Sequence, residues 1–322
     1  MKFYFAPLEG ITGYIYRNAY NRYFGNIDKY FTPFVSPTAN KCFTSKEMND
    51  IMPEHNKGMN VIPQILTNNS EYFIYTVNQM REMGYEEVNL NLGCPSGTVV
   101  SKGKGAGFLG HKEELDKFLE EIFSKAQIKI SIKTRIGIDS YEDFPEIMNI
   151  FNKYPLEELI IHPRIQRDFY KNIPNIEVFK EALKLSKNPV CYNGDIFSLN
   201  DYKLLISECP NLKAVMLGRG IIANPGLISE INEGICVKKE ELKEFHDEVF
   251  NGYKKILSGD KNVLFKMKEF WFYMINIFEE NEKYAKKIKK SKFLNEYITI
   301  VNMLFKDLSI ADDSCLRKFK YC

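Results

Sequence analysis

Between residues 3 and 217, short runs rich in β-branched and aromatic residues recur eight times, at 3–6, 30–35, 61–66, 86–91, 128–134, 157–162, 189–193 and 213–217. Amphipathic stretches of helical period lie between most of them, at 12–24, 70–83, 111–125, 142–153, 175–187 and 199–207. Strands that alternate with helices pair in parallel, because each crossover returns the chain to the end from which the previous strand left. Eight such units in roughly 220 residues fit an α/β fold of the (β/α)8 TIM-barrel kind, with an open doubly wound sheet as the rival.

The pattern changes after "GRGIIANPGLISEI". Residues 238–322 are rich in Lys and Glu, poor in strand signals and helical in period, with "ELKEFHDEVFNGYKKIL", "VLFKMKEFWFYMINIF" and "KFLNEYITIVNMLF" as amphipathic segments. The expected division is a barrel over 1–237 and an all-helical C-terminal domain over 238–322. Composition excludes little beyond this. The chain has 322 residues and a formal net charge of +2, which favours no partner class. No apolar run reaches the roughly 18 residues of a membrane span, and "MKFYFAPLEG" reads as a strand instead of a secretory leader. Seven scattered cysteines without CxxC pairs point to reduced thiols, hence a cytoplasmic protein, and with four histidines they make no metal-ligand spacing. The run "KYAKKIKKSK" at 283–292 holds six lysines; it reads as a solvated helix face or as a patch facing a polyanion. Trp271, the only tryptophan, reads as helix-core packing.

A barrel carries its chemistry at the C-terminal ends of its strands. Those ends hold Pro7, Gln64, Asn91 with Gly93-Cys94-Pro95, Lys133 with Arg135, His162, Asn193-Gly194-Asp195, and Gly218-Arg219-Gly220. The glycine turns after the last two strands, with Arg219 between glycines, suit a phosphorylated ligand: free backbone N–H groups and one guanidinium. Lys133 could face an electron-rich ring such as a flavin, form a Schiff base, or cap a carboxylate. His162 is a hydrogen-bonded structural residue or a catalyst. Cys94 could be a nucleophile, a proton donor, a metal ligand or a small buried hydrophobe, and the five glycines that follow Leu92 up to Leu109 ask for an explanation.

Together, "APLEGITG", "NLGCP" with "KGKGAG", "IKTRIG", "HPR…Y", "NGDI" and "GRG" resemble the tRNA-dihydrouridine synthases in order and spacing, over essentially the whole chain. The resemblance implies an FMN-dependent barrel that uses NADPH to reduce a D-loop uridine of tRNA, with hydride delivered to C6 and a proton to C5. It assigns Pro7, Gln64, Lys133 and His162 to the FMN ring and ribityl region, and Asn193, Gly194, Asp195, Gly218 and Arg219 to its ribityl and phosphate site. Asn91, Arg135 and Lys102 match positions near the tRNA substrate, and Cys94 matches the catalytic acid. The glycines would then let the loop open and close over the substrate, and lysines 283–292 become candidate tRNA contacts. The expected partners are tRNA and NADPH, with no metal and no membrane, acting on a monomer. His162-Pro163-Arg164 stands where many relatives have His-Gly-Arg. Rival readings are an FMN barrel acting on a free pyrimidine, like dihydroorotate dehydrogenase; a Schiff-base enzyme using Lys133; and a non-catalytic RNA-binding scaffold.

Overall fold

The computed structural model describes residues 1–40 and 42–311. Its strands are β1 (Lys2–Phe5), β2 (Lys29–Phe31), β3 (Val61–Ile62), β4 (Gln64–Ile65), β5 (Glu87–Leu92), β6 (Lys129–Arg135), β7 (Leu159–His162), β8 (Val190–Tyr192) and β9 (Ala214–Leu217). The helices are α1 (Tyr14–Tyr23), α2 (Ser45–Ile51), α3 (Ser70–Glu82), α4 (Gly97–Val100), α5 (Lys112–Lys125), α6 (Phe144–Phe151), α7 (Ile176–Leu185), α8 (Leu199–Glu208), α9 (Arg219–Ala223), α10 (Leu227–Glu233), α11 (Lys239–Ile256), α12 (Asp260–Met274), α13 (Glu282–Lys290) and α14 (Leu294–Asp307).

The strands form one parallel sheet in the order β3-β2-β1-β9-β8-β7-β6-β5-β4. Only Pro63 separates β3 from β4. Proline has no N–H to give a ladder, so the expected single run at 61–66 is broken there, while the Pro63 carbonyl still accepts from Asn89 N–H at 2.8 Å. The two ends of the strand row are therefore consecutive in the chain, and the sheet comes back on itself as a nearly closed barrel. Proline also shortens the expected strand at 30–35: pairing stops at Phe31 before Pro33, and Val35 returns as a single bridge to Ile65.

Several helix starts are written in short polar side chains. Asn69 accepts from Tyr72 N–H at 2.9 Å ahead of α3, Asn175 from Val178 N–H at 3.2 Å ahead of α7, and Thr44 forms a capping box with Glu47 ahead of α2.

By contacts the chain divides into two compact units. The first comprises Met1–Glu9, Ile27–Gly194 and Cys209–Met216, and contains the barrel apart from the last residue of β9. Its interior alternates with the strand period: Tyr4, Ala6, Phe31, Ile62, Ile160, Cys191, Ala214 and Met216 form one buried cluster. Charged groups lie at the strands' N-terminal ends. Lys29 Nζ donates to Glu87 Oε2 at 2.7 Å and Tyr4 OH to Glu158 Oε1 at 2.9 Å, pairs from strands that are not neighbours. Burial pushes the Glu158 carboxyl up to about 7.

The second unit comprises Gly10–Asn26, Asp195–Glu208 and, of the described residues, 217–311. The boundary expected at 237/238 falls inside it, between α10 and α11. Its core is aromatic. Trp271 is 2% exposed, donates from Nε1 to Tyr297 OH at 2.8 Å and packs 5.4 Å from the His246 ring, so it is a packing residue. The lysine run forms α13, which buries Tyr284 and Ile288, four residues apart on one face. Cys315 and Cys322 lie outside the described residues. Among those described, no helix is long and apolar enough to cross a membrane.

Candidate active site

In the first unit, β5 reads Glu-Val-Asn-Leu-Asn-Leu and all six residues are buried. Strand alternation puts Asn89 and Asn91 on one face and Val88, Leu90 and Leu92 on the other. The asparagines join a ladder of amides. Asn91 Nδ2 donates to Gln64 Oε1 at 2.8 Å, Gln64 Nε2 to Asn89 Oδ1 at 2.8 Å, and Asn89 Nδ2 to Ser131 Oγ at 3.0 Å. Each amide fixes the orientation of the next. At the top of this ladder, Asn91 Oδ1 accepts from the backbone N–H groups of Gly93 at 3.0 Å and Cys94 at 2.9 Å. That is an Asx turn, a side-chain imitation of a backbone turn. It explains why the strand ends in Asn-Leu-Gly-Cys: Asn91 positions the cysteine.

Two further groups hold the same turn. Arg135, at the end of β6, donates to the carbonyls of Gly93 at 3.0 Å, Ile165 at 2.8 Å and Phe169 at 2.7 Å. Its guanidinium lies 5.4 Å from the centre of the Tyr170 ring. Phe169 has φ 49° and ψ −98°, a conformation a non-glycine residue keeps only where its surroundings enforce it; its carbonyl is held by Arg135. Gln166 Nε2 donates to Pro95 O at 3.0 Å. Neither Asn89 nor Gln166 figured among the expected site residues. The alternation in "NLNL" carried a signal for Asn89, whereas nothing near Gln166 in the chain points to Pro95.

The glycines after Cys94 serve close approach more than freedom. Residues 105–110 form a buried 3-10 turn, with Ala106, Phe108 and Leu109 each at most 2% exposed. Ala106 N–H donates to Cys94 O at 3.1 Å. A Cβ on Gly105, at φ +57°, would stand 2.8 Å from Cys94 O and 2.9 Å from Val99 Cγ1. In the second half of the loop the chain passes against the cysteine, and at position 105 only glycine fits. Gly105→Ala is expected to cost about 1–3 kcal/mol in stability; a thermal melt equal to that of the native protein would show that the loop has slack.

Cys94 itself is half-buried. Burial pushes its thiol up, against the opposing pull of the Arg135 and Lys133 charges, so at neutral pH it carries its proton. Lys133 is the register partner of Asn91 on the neighbouring strand and therefore shares its face. It is half-buried, and among the described residues its ammonium makes no hydrogen bond and no ion pair. Burial, with Arg135 adding repulsion, pushes its ammonium down to about 8.

His162, register partner of Arg135, stands 3.2 Å from Arg164 Nη1 through Nε2. A guanidinium only donates, so Nε2 accepts in this contact. Arg164 Nε also donates to Asn172 O at 2.5 Å, and its N–H closes back on His162 O at 2.7 Å. That three-residue turn centres on Pro163, whose ring fixes a φ suited to it. Asn193 Nδ2 donates to Met216 O at 2.8 Å. Gly194 admits no side chain, since a Cβ would meet Tyr192 OH at 2.1 Å. Pro7 is half-buried beyond β1, and Lys102 is exposed on the loop, its carbonyl accepting from Asn68 Nδ2 at 3.1 Å.

In the second unit, Gly218 precedes the five-residue α9. Arg219 Nη2 donates to Asp195 Oδ1 at 2.6 Å and lies 5.4 Å from the centre of the Phe197 ring. A Cβ on Gly220 would meet Ile196 O at 1.9 Å. Asp195 thus orients the arginine.

Parallel strands in a nearly closed barrel, with polar side chains gathered at their C-terminal ends, define a TIM-barrel protein. Solved structures share the fold: morphinone reductase in complex with tetrahydroNAD, with TM-score 0.52, 13% identity and 74% of this chain and 88% of that one covered; and histamine dehydrogenase from Rhizobium sp. 4-9, with TM-score 0.54, 13% identity and 79% and 48% covered. The chain belongs to the dihydrouridine synthase (Dus) family, whose profile matches residues 4–318. It is 27% identical over 267 residues to a "Probable tRNA-dihydrouridine synthase" of Staphylococcus aureus (strain MRSA252), covering 79% of this chain and 78% of that protein. It is also 27% identical over 255 residues to a "tRNA-dihydrouridine(16) synthase" of Pseudomonas putida, covering 77% and 78%.

Proposed function

We propose that the protein is an FMN-dependent tRNA-dihydrouridine synthase reduced by NADPH, with Cys94 as the proton donor. The observation that carries this reading is the placement, at the ends of the neighbouring strands β5 and β6, of a protonated thiol and of an ammonium that makes no side-chain hydrogen bond among the described residues.

The residues fit a flavin. A cation held in a half-buried position without compensation stabilises an anion brought against it, and a reduced isoalloxazine is such an anion. When bound, the reduced flavin supplies the hydride that a uracil takes up at C6. Lys133 offsets the negative charge of the ring. Gln64, already oriented by its neighbours, has remaining polar capacity to offer a ring edge, and His162 is assigned beside it. Asn193 and Gly194 are assigned to the ribityl chain, and Gly218 and Arg219, with Asp195 orienting the guanidinium, to the phosphate.

Cys94 gives its proton to C5 of the base and recovers one from solvent. Asn91, Arg135 and Gln166 hold the turn that carries it. Arg135 is 2% exposed and spends three of its N–H groups on carbonyls, so in this reading it acts on the loop and not on the base. Asn91 keeps one amide N–H for the substrate. Lys102 and the lysines of α13 take phosphates of the tRNA, which orients the substrate without reading sequence.

The test is direct. The purified protein is expected to be yellow, to release FMN on denaturation, and to form dihydrouridine in unmodified tRNA when given NADPH. A colourless protein, or one that turns over dihydroorotate and leaves tRNA unchanged, overturns the reading. Arg219→Ala is expected to purify with lowered flavin occupancy; full occupancy would remove the phosphate assignment.

A further inference from the structure

The second unit carries a cleft that the reading above does not use. It is a cavity of ≈ 750 Å³ between the start of α12 and the connection from α13 to α14. Phe265 and Phe293 line it and are 61% and 73% exposed. Large apolar side chains are normally drawn out of water, so two phenylalanines left in it around one cavity point to a surface that is covered by something else.

Neither ring is exposed because its backbone is loose. Lys268 Nζ donates to Ser291 O at 2.5 Å, Ser291 is buried and donates from Oγ to Ile288 O at 2.7 Å, and Lys292 N–H donates to Glu296 Oε2 at 2.9 Å. The connection that presents Phe293 is therefore tied down on both sides of the ring. Phe265 sits within α12, on a turn whose neighbours Leu264 and Met267 are buried.

The charge around the cleft decides the occupant. Lys261, Lys268 and Lys292 line it against a single acidic residue, Asp260. On the next residues of α14 a second groove of ≈ 750 Å³ begins, lined by lysines 283, 286, 287 and 290 with Glu296 as its one carboxylate. An apolar protein segment would gain nothing from these cations. A nucleic-acid strand uses both parts, because aromatic faces stack with bases while lysines follow the phosphates.

We infer that the cleft between Phe265 and Phe293 is a stacking subsite for an unpaired base of RNA, with Lys261 and Lys292 holding the flanking phosphates. The inference rests on the tRNA reading and gives it a specific contact. The base is taken by its π-face, so the subsite tolerates any base that the fold of the tRNA leaves unstacked.

Four variants of the full-length, flavin-loaded protein test it. Phe293→Ala and Phe265→Ala remove rings that fill no core, and each is expected to weaken tRNA binding by roughly 5- to 150-fold with an unchanged salt slope. Lys261→Ala combined with Lys292→Ala is expected to lower that slope by roughly one to two. In Phe293→Trp the new indole is expected to be quenched when tRNA is added, against a constant background from Trp271, the only native tryptophan, which is buried. Native affinity in both alanine variants, together with an indole that does not respond to tRNA, overturns the subsite and leaves the cleft to a protein partner. Dihydrouridine formation by the native protein in the same assay separates the two ideas: if it is absent the functional reading has failed, and if it is present while the variants bind normally only the subsite has.

Discussion

Cys94→Ala is expected to leave flavin content and tRNA affinity as they are and to slow dihydrouridine formation by about 10²- to 10⁴-fold, the usual worth of a positioned general acid. The selectivity follows from the geometry. The contacts that place the turn run through the backbone of residues 93–95 and through Asn91, Arg135 and Gln166, none of which uses the sulfur. Removing Sγ therefore takes away the proton and one contact with the Ser96 backbone, leaving C5 to be protonated by water. The measurement is single-turnover oxidation of the reduced enzyme by tRNA, alongside product quantified by mass. An unchanged rate constant would mean that another group supplies the proton.

Arg135→Ala is expected to act on stability first. One side chain gathers carbonyls from Gly93, Ile165 and Phe169, contributed by the ends of β5 and β7. Truncation leaves three partly buried acceptors without this donor, at about 1–3 kcal/mol each. Part of that is returned, because the guanidinium is itself costly to bury and burial lowers its pKa. Release of the strained Phe169 conformation returns a little more. The net expectation is about 3–5 kcal/mol, seen as a melting temperature lower by on the order of 10 °C. Arg135→Lys should recover little, since one ammonium on a flexible stem cannot span three carbonyls set by a planar fork. A melting temperature within a degree of native would show that the three bonds are replaceable by water.

The period of the sequence carried the barrel. Eight strand runs and the helices between them can be read because buried strands and amphipathic helices leave different spacings. What escaped was local. Pro33 and Pro63 cut strands at places where only the hydrogen-bond ladder decides, and the helices at 45–51 and 227–233 are short, with few turns over which a period could show. At the site, the residues at the strand ends were legible one by one, because chemistry in a barrel collects there. Their connections were not. That Asn91 and Arg135 spend their hydrogen bonds on the cysteine turn, that Gln166 holds Pro95 across 71 positions of chain, and that Gly105 is required by a 2.8 Å approach are facts of the folded chain alone. Motif spacing reports which residues meet, and it says little about which of them act through another.

The most direct test of the central claim is the pH dependence of the single-turnover rate. If the protonated thiol of Cys94 is the acid, the rate constant should carry a falling limb above the ordinary thiol range near about 8.5, because burial raises this thiol; that limb should vanish in Cys94→Ala, while any limb at about 8 from loss of the Lys133 charge stays. A rate constant that climbs as the thiol ionises would contradict it.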